Sequence, residues 1–404
     1  MNDNVFIFGA GASFDAGIPL LRNFVEKMWE IAVRGRINGK SLQPGDREIF
    51  QKAINIRDEL DGYHGRAAFD DRNIEDILSL LTFNLIAGKG TDRNKLALMN
   101  QAITRTIELT CNVEHSGDTS RAQTSGPSVY RDFWKYFFKA TQPTDNQYPA
   151  IITFNYDLVL ERSLMQLVVV TEYSEWKEDK KRPFHKVRLA YEYDGVDDPC
   201  LEIKYADFNM PDFKTAPGIV AVPISRDDAV DAPYIPLLKL HGSVNFPLPR
   251  SRRQLLTSDK RKVDFINSLE EPHIMPPIFN KLTTGPQTGM WKDALNHLRN
   301  TKNLIIVGYS LPRTDIYMQY FLKAALGPNL GLNKIIVFDP ILYKNDQSAE
   351  DMRDRYASCF SPQLQSRIIF NPTFHSGLEK RFAAGTFEHF VYMLQQEPAS
   401  ILFQ

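Results

Sequence analysis

Residues 5–24 read VFIFGAGASFDAGIPLLRNF, and this stretch decides the predicted fold. The apolar run over residues 5–8 is typical of a buried strand in a parallel sheet. Gly9 and Gly11 follow at once, and apolar residues recur at helical spacing after Pro19. A strand, a glycine-rich turn and a helix together can hold a diphosphate, because glycine allows close backbone approach. The turn lacks the third glycine of the dinucleotide fingerprint, so a strand–helix turn that only needs glycines remains the alternative.

Length, charge and cysteine content limit the possible classes of protein. The 404 residues can form two domains or one large domain with insertions. A net charge of −1 gives no bulk attraction to nucleic acid or to anionic membranes. We see no leader pattern and no apolar stretch of transmembrane length, so we expect no membrane association. The three cysteines, Cys111, Cys200 and Cys359, are too scattered for a zinc ribbon or a disulfide framework, which favours a reducing, cytoplasmic setting.

Four further apolar runs predict strands at 150–154, 236–240, 303–307 and 334–338. The last two enclose a helical pattern at 316–326 and therefore form a βαβ unit. Together with the first strand they predict an α/β fold, a Rossmann-like parallel sheet without a zinc module.

Two insertions interrupt the predicted sheet. Residues 25–148 are mostly helical by pattern, and Asn73 is the expected N-cap of one helix. Residues 171–235 alternate charged and aromatic side chains, which suggests a small antiparallel sheet. The core thus spans 1–340, followed by an extension at 341–404 for packing or assembly. A run of Arg and Lys over 250–262 is read as a solvated loop, with nucleic-acid contact as the alternative.

Small or polar residues follow four of the predicted strands. The carboxyl ends of parallel strands are where open α/β sheets bind ligands, so these residues are candidates for one site. Asn155 has the alternative of a helix N-cap, and His241 that of a hydrogen-bonded turn residue. The candidates are Gly9, Ala10, Gly11 and Ser13, then Asn155 and Asp157, then His241, and finally Gly308 and Ser310.

Four motifs in this order resemble the sirtuin family. That family is expected to show a GAG turn running to G-I-P and an Arg, then T-x-N-x-D, H-G and G-x-S. Here these motifs stand as GAGASFDAGIPLLR, TFNYD, LKLHGS and VGYSLP, each after an apolar strand. The resemblance covers the Rossmann-like parts and leaves both insertions and the tail unaccounted for.

The departures from the family narrow the expected activity. A protein deacylase of the family needs a four-cysteine zinc module, which the three cysteines of this chain cannot form. The P-D-F-R motif of the deacylases appears here as Pro19, Leu20, Leu21 and Arg22, so Leu replaces both the acidic and the aromatic residue. Phe154 replaces the Gln of the deacylase Q-N-I-D motif. The chain is more similar to the sirtuin-like NADases of bacterial anti-phage defence, which share the FNYD, KLHGS, VGYSLP and NIEDILSLL-type motifs.

The resemblance implies NAD+ as the substrate, with no metal, and a catalytic domain over 1–340. Asn155 orients a ribose hydroxyl and the attacking water, and His241 accepts a proton from one of them. The diphosphate would lie against the first turn, at Gly9, Ala10, Gly11 and Ser13, with Arg22 pairing with it or with ribose. Asp157, Gly308, Ser310 and Asp339 complete the predicted binding set, the last two on the adenosine side, although Asp339 could equally be a turn residue before Pro340.

Three functions follow from these patterns. The first is an NAD+ glycohydrolase that depletes NAD in abortive infection, the second a non-catalytic NAD-binding regulatory subunit, and the third an NAD-dependent deacylase. The resemblance also implies a homo-oligomer with a HerA-type ATPase partner, or alternatively an Argonaute-like one, and no direct nucleic-acid binding. Either subunit contacts or the chain's own core would explain the apolar tail residues Phe382, Phe387, Phe390, Val391 and Leu394.

Overall fold

The computed structural model describes most of the chain. The described residues are 3–62, 70–88, 90, 92–114, 126–166, 186–193, 196–210, 213–248, 261–262, 264–275, 288–313, 315–370, 372 and 383–396. Within them, no helix is both long and apolar enough to cross a membrane.

The described part of the chain alternates strands and helices. The strands are β1 (Asn4–Phe8), β2 (Arg36–Ile37), β3 (Lys40–Ser41), β4 (Ala150–Thr153), β5 (Lys186–Ala190), β6 (Val196–Asp197), β7 (Cys200–Met210), β8 (Phe213–Ile224), β9 (Tyr234–Lys239), β10 (Gly242–Pro247), β11 (Arg261–Lys262), β12 (Pro272–Ile274), β13 (Asn303–Val307), β14 (Lys334–Phe338) and β15 (Ile368–Phe370). The helices are α1 (Phe24–Arg34), α2 (Asp46–Asp61), α3 (Ile74–Ile86), α4 (Asp92–Thr110), α5 (Val129–Ala140), α6 (Val159–Met165), α7 (Thr288–Asn300), α8 (Ile316–Leu326), α9 (Gln347–Ala357), α10 (Pro362–Gln365) and α11 (Phe387–Gln396).

One sheet of nine strands organises the molecule, in the order β15-β14-β13-β1-β4-β9-β5-β7-β8. The strands from β15 to β5 are parallel, and β7 and β8 continue the edge in antiparallel fashion. The chain reaches β4 on one side of β1 and β13 on the other, which is the topology that opens a ligand crevice at the strand ends. The predicted α/β fold with a Rossmann-like parallel sheet is confirmed, as is the βαβ unit of β13, α8 and β14.

The helical insertion consists of α1 to α5 with a short β2–β3 hairpin. Asn73 caps α3 as predicted, because its side-chain oxygen accepts the N–H of Glu75 at 3.0 Å. The apolar spacing after Pro19 corresponds to α1. Ile31 of this helix is buried in the core, whereas Trp29 is 53% exposed.

The second insertion contains the expected antiparallel pairing, but its strands extend the main sheet and do not form a small sheet of their own. The side of β5 away from β9 pairs with β7, and β7 with β8, so this antiparallel ladder lengthens the main sheet. A parallel edge strand offers unpaired backbone groups that the next strand can satisfy. Residues 167–185 of this region, and most of the basic run over 250–262, lie outside the described residues.

Helix α11, near the C-terminal end of the described chain, belongs to the core. Phe387 and Phe390 of α11 pack edge-on against Phe8 of the central strand, with ring centroids 5.5 and 6.0 Å apart. β15 also adds a strand beside β14. The alternative of packing on the chain's own core is therefore confirmed for Phe387, Phe390, Val391 and Leu394, which are all buried. Phe382 lies outside the described residues.

The first glycine-rich turn packs directly on the turn after β13. A Cβ built on Gly308 would lie 2.3 Å from the Ala12 nitrogen, and Gly308 has φ of +65°. A Cβ on Gly9 would lie 2.5 Å from the Gly308 oxygen, and one on Gly11 2.8 Å from the Gly308 Cα. The turn leads into a 3-10 helix, Ala10–Ala16, and α1 begins only at Phe24. These glycines are thus needed for contact between two loops of the protein itself.

We expect Gly308→Ala to lower the free energy of unfolding by roughly 2–4 kcal/mol, because it adds a backbone clash to an unfavourable positive φ. The matched control is Gly88→Ala, where φ is +86° but no atom lies within 4 Å of the added Cβ. That variant should lose only about 1–2 kcal/mol. Urea denaturation measures both, and equal losses would contradict the close-packing argument.

Candidate active site

The sheet order brings the predicted site residues to one edge. The strands β14, β13, β1, β4 and β9 are neighbours, and all five are parallel. Their carboxyl ends lead respectively to Asp339, Gly308, Gly9, Asn155 and His241. Residues up to 330 positions apart in the sequence therefore meet at the edge where open α/β sheets bind ligands.

A cleft of about 720 Å³ opens at this edge. Six predicted site residues line it: Ala10, Asn155, Asp157, His241, Gly308 and Ser310. Helix α3 of the helical insertion contributes Glu75 to the lining, so the insertion is part of the cleft.

Asn155 is held by two hydrogen bonds from its amide nitrogen. Nδ2 donates to the carbonyl of Gly9 and to the Ser13 hydroxyl, both at 2.9 Å. Both amide protons are therefore used, and Oδ1 remains the atom that can accept a bond from a ligand. The N-cap alternative is wrong for Asn155, since α6 begins at Val159 and the Asp157 carboxylate accepts the Val159 N–H. Ser13 is buried, and its hydroxyl orients this amide.

His241 follows β9 and is only 4% exposed. Its backbone carbonyl accepts the Met275 N–H at 2.8 Å, and its ring packs against Phe154 with centroids 5.0 Å apart. Nδ1 lies 3.9 Å from Oε1 of Glu75. The backbone is thus fixed, while one edge of the imidazole faces a carboxylate.

Carboxylates and aromatic rings share the cleft wall with aliphatic side chains, among them Ile18, Leu21 and Ile107. Glu75, Asp157 and Asp315 line it together with Phe154, Tyr156 and Tyr309, and the lining residues within the described chain include no Lys or Arg. The Tyr309 hydroxyl donates to Asp315 at 2.6 Å. Burial, followed by nearby carboxylates, raises the pKa of both Tyr156 and Tyr309 well above 10.0, so both phenols stay neutral. This wall favours a cationic, planar ligand group.

The expected phosphate contacts of the first turn are partly wrong. The N–H groups of Gly9, Gly11 and Ala12 donate to the carbonyls of Val307, Gly308 and Gly9 at 2.9–3.0 Å. They are therefore occupied inside the protein and do not point to a ligand. Ala10 remains the residue of this turn that lines the cleft.

Arg22 and Asp339, like Gly9, Gly11 and Ser13, are absent from the residues that line the cleft. Arg22 is exposed in a 3-10 helix, Leu21–Asn23. The Asp339 carboxylate accepts the Ile341 N–H at 2.9 Å, as a turn residue does, and its burial raises its pKa. Arg355, which the sequence patterns did not single out, donates to the Ser310 carbonyl at 3.2 Å and so brings a cation to this end.

A buried ion pair lies behind the site. Lys239 and Glu161 are 2.9 Å apart, with side chains only 2% and 1% exposed. Lys239 also donates to the Asp157 carbonyl, and the Tyr191 hydroxyl donates to Glu161 at 3.3 Å. Lys239 lies two residues before His241, and Asp157 two residues after Asn155, so this pair connects the loops that carry both candidate catalytic residues.

Glu75, Tyr309 and Asp315 line the cleft but are not among the predicted site residues. Glu75 and Asp315 lie near helix starts, where acidic residues are common, and Tyr309 lies between the predicted residues Gly308 and Ser310. In the described part of the chain, no three His, Cys, Asp or Glu side chains are grouped to hold a metal ion. A scan against protein-family models finds no match, and a search of curated proteins finds none either.

Proposed function

We propose that this chain is an NAD+ glycohydrolase that cleaves NAD+ to nicotinamide and ADP-ribose. One observation carries the proposal: Asn155 and His241 line one cleft to which three carboxylates and several aromatic rings also contribute. The nicotinamide ring of NAD+ is a planar cation, which such walls attract. The described lining offers no Lys or Arg for the diphosphate, so the phosphates are expected towards Ala10 and the Arg355 end.

The residues fit the demands of this hydrolysis. The bond from ribose C1′ to the pyridinium nitrogen breaks, and its electron pair neutralises the leaving nicotinamide, so no acid is needed there. The developing oxocarbenium-like centre needs an electron-rich environment and a water molecule. Asn155 Oδ1 can accept a hydrogen bond from that water or from a ribose hydroxyl. His241 can take the proton that water loses as its oxygen bonds to C1′.

The biological setting rests on the motif resemblance alone. Depletion of NAD in anti-phage defence, a homo-oligomeric assembly in the cytoplasm and a HerA-type ATPase partner, or an Argonaute-like one, are parts of the proposal. A freely active NADase would exhaust the cell's NAD, so we expect the activity to depend on assembly.

We expect the purified chain, alone or with its neighbour-encoded ATPase, to release nicotinamide and ADP-ribose in equal amounts from NAD+. Chromatography of the products measures this, and calorimetry measures NAD+ binding. NAD+ binding without any nicotinamide release would favour the regulatory subunit. Release only with an acylated peptide would favour the deacylase. Neither binding nor release, with or without the ATPase, would contradict every NAD-based function.

A further inference from the structure

We propose that Glu75 is a positioning residue for His241, and this inference rests on the proposed hydrolysis at the same cleft. Its carboxylate holds the imidazole with Nδ1 towards the acid. It then stabilises the imidazolium that forms when the opposite nitrogen, Nε2, takes a proton from the attacking water. No redox partner is needed, since the water oxygen bonds to C1′, its proton passes to His241 and nicotinamide leaves neutral.

The local structure fixes Glu75 for this role. It lies in the first turn of α3, where the Asn73 side chain accepts its backbone N–H at 3.0 Å. Its side chain is 16% exposed and points into the cleft beside His241. The 3.9 Å between Oε1 and Nδ1 exceeds a hydrogen bond. Such contacts are often long in a ligand-free site and shorten when substrate binds.

Other groups around His241 cannot replace this carboxylate. Phe154 packs on the ring, and Tyr156 lies with its ring centroid 6.4 Å from that of the imidazole. Asp315 accepts the Tyr309 hydroxyl and the Met318 N–H, so it is engaged at the start of α8. Asp157 is engaged with the Val159 N–H. Glu75 is the carboxylate that the described structure places 3.9 Å from a ring nitrogen of His241.

The adjacent acid on the same helix provides a matched control. Asp76 accepts a side-chain hydrogen bond from Asn73 at 3.3 Å and the backbone N–H of Asp70 at 3.3 Å. It is absent from the residues that line the cleft. Asp76→Asn and Glu75→Gln therefore remove the same charge from the same helical turn, and only Glu75→Gln removes it beside His241.

The test compares pH profiles of NAD+ turnover. We expect Glu75→Gln to lower kcat about 10–100-fold and to move the acid limb of the kcat/KM profile down by about one pH unit. The direction follows because loss of a nearby negative charge disfavours protonated His241, so the neutral base persists to lower pH. Glu75→Asp should restore part of the rate, and Asp76→Asn should match the wild type. A purely structural role for Glu75 would lower the rate without moving the acid limb.

A second readout does not depend on turnover. Titration of the histidine ring signals by NMR, with His241→Asn to assign the resonance, should show the same downward shift in Glu75→Gln and none in Asp76→Asn. An unchanged His241 titration would overturn the proposal. If the wild type proves inactive on NAD+ while the titration shifts, the proposed function fails and the pairing stands. If turnover is present and neither readout moves, only the Glu75 inference fails.

Discussion

His241→Ala is expected to lower NAD+ turnover about 10²–10⁴-fold, which is the usual contribution of a general base. Asn155→Ala should produce a loss of similar size, because it removes the oxygen that faces the cleft. Initial rates of nicotinamide release, under conditions where the wild type is active, measure both effects. Near-normal turnover in either variant would contradict the role assigned to that residue.

A matched histidine separates chemistry from folding. His297 in α7 is half-buried, and its Nδ1 lies 3.4 Å from Nε2 of Gln147, which precedes β4. It is therefore near the amino ends of the strands, opposite to the cleft. We expect His297→Gln to keep wild-type turnover, while all three variants retain a cooperative thermal transition. Loss of turnover in the control would indicate general damage to the sheet.

The sequence allowed the central part of the fold to be predicted. Apolar runs such as residues 303–307 and 334–338 have no alternation, which is the pattern of strands buried on both faces, and all of them lie in the parallel sheet. The sequence also predicted that Asn155 and His241 lie close together, because the carboxyl ends of parallel strands share one edge of the sheet. Strand order itself was not predictable from these local patterns.

Local sequence patterns could not decide the role of residues that fit two different functions. Glu75 was interpreted only as part of the start of α3, because nothing in NIED indicates that this helix faces the end of β9. Gly11 was assigned to diphosphate binding, yet its Cβ position is filled by Gly308, almost 300 residues later. A Gly11→Val variant would thus damage loop packing, and weak NAD+ binding in it would not identify a phosphate loop.

The pattern of the tail was equally ambiguous. The aromatic spacing in α11 is compatible with a contact between subunits and with packing inside the chain. The structure shows the internal packing, because Phe390 contacts Phe6 and Phe387 contacts Phe8 on the central strand. The proposed assembly is therefore expected to use other surfaces. The sequence also could not show that the Ser13 hydroxyl accepts a hydrogen bond from the Asn155 amide. A serine hydroxyl can bind a phosphate equally well, so the sequence alone does not identify its partner.

Lys239→Met is expected to cause the largest loss of stability, about 3–5 kcal/mol in the free energy of unfolding, because the buried Glu161 would lose its cationic partner. The double variant Lys239→Met with Glu161→Leu should recover much of this loss, since no lone charge remains. The exposed pair of Lys52 and Glu48 is the control, and Lys52→Met should change little.

Urea denaturation of the two single variants and the double variant gives the coupling energy of the buried pair. Additive losses would show that Lys239 and Glu161 act independently, contrary to this prediction. Measuring NAD+ turnover of the double variant tests whether the buried pair also matters for activity. Lys239 donates to the Asp157 carbonyl between the loops of Asn155 and His241, and neither Met nor Leu can replace that bond. If the pair fixes the relative position of these two loops, the double variant should regain stability and still hydrolyse NAD+ more slowly than the wild type.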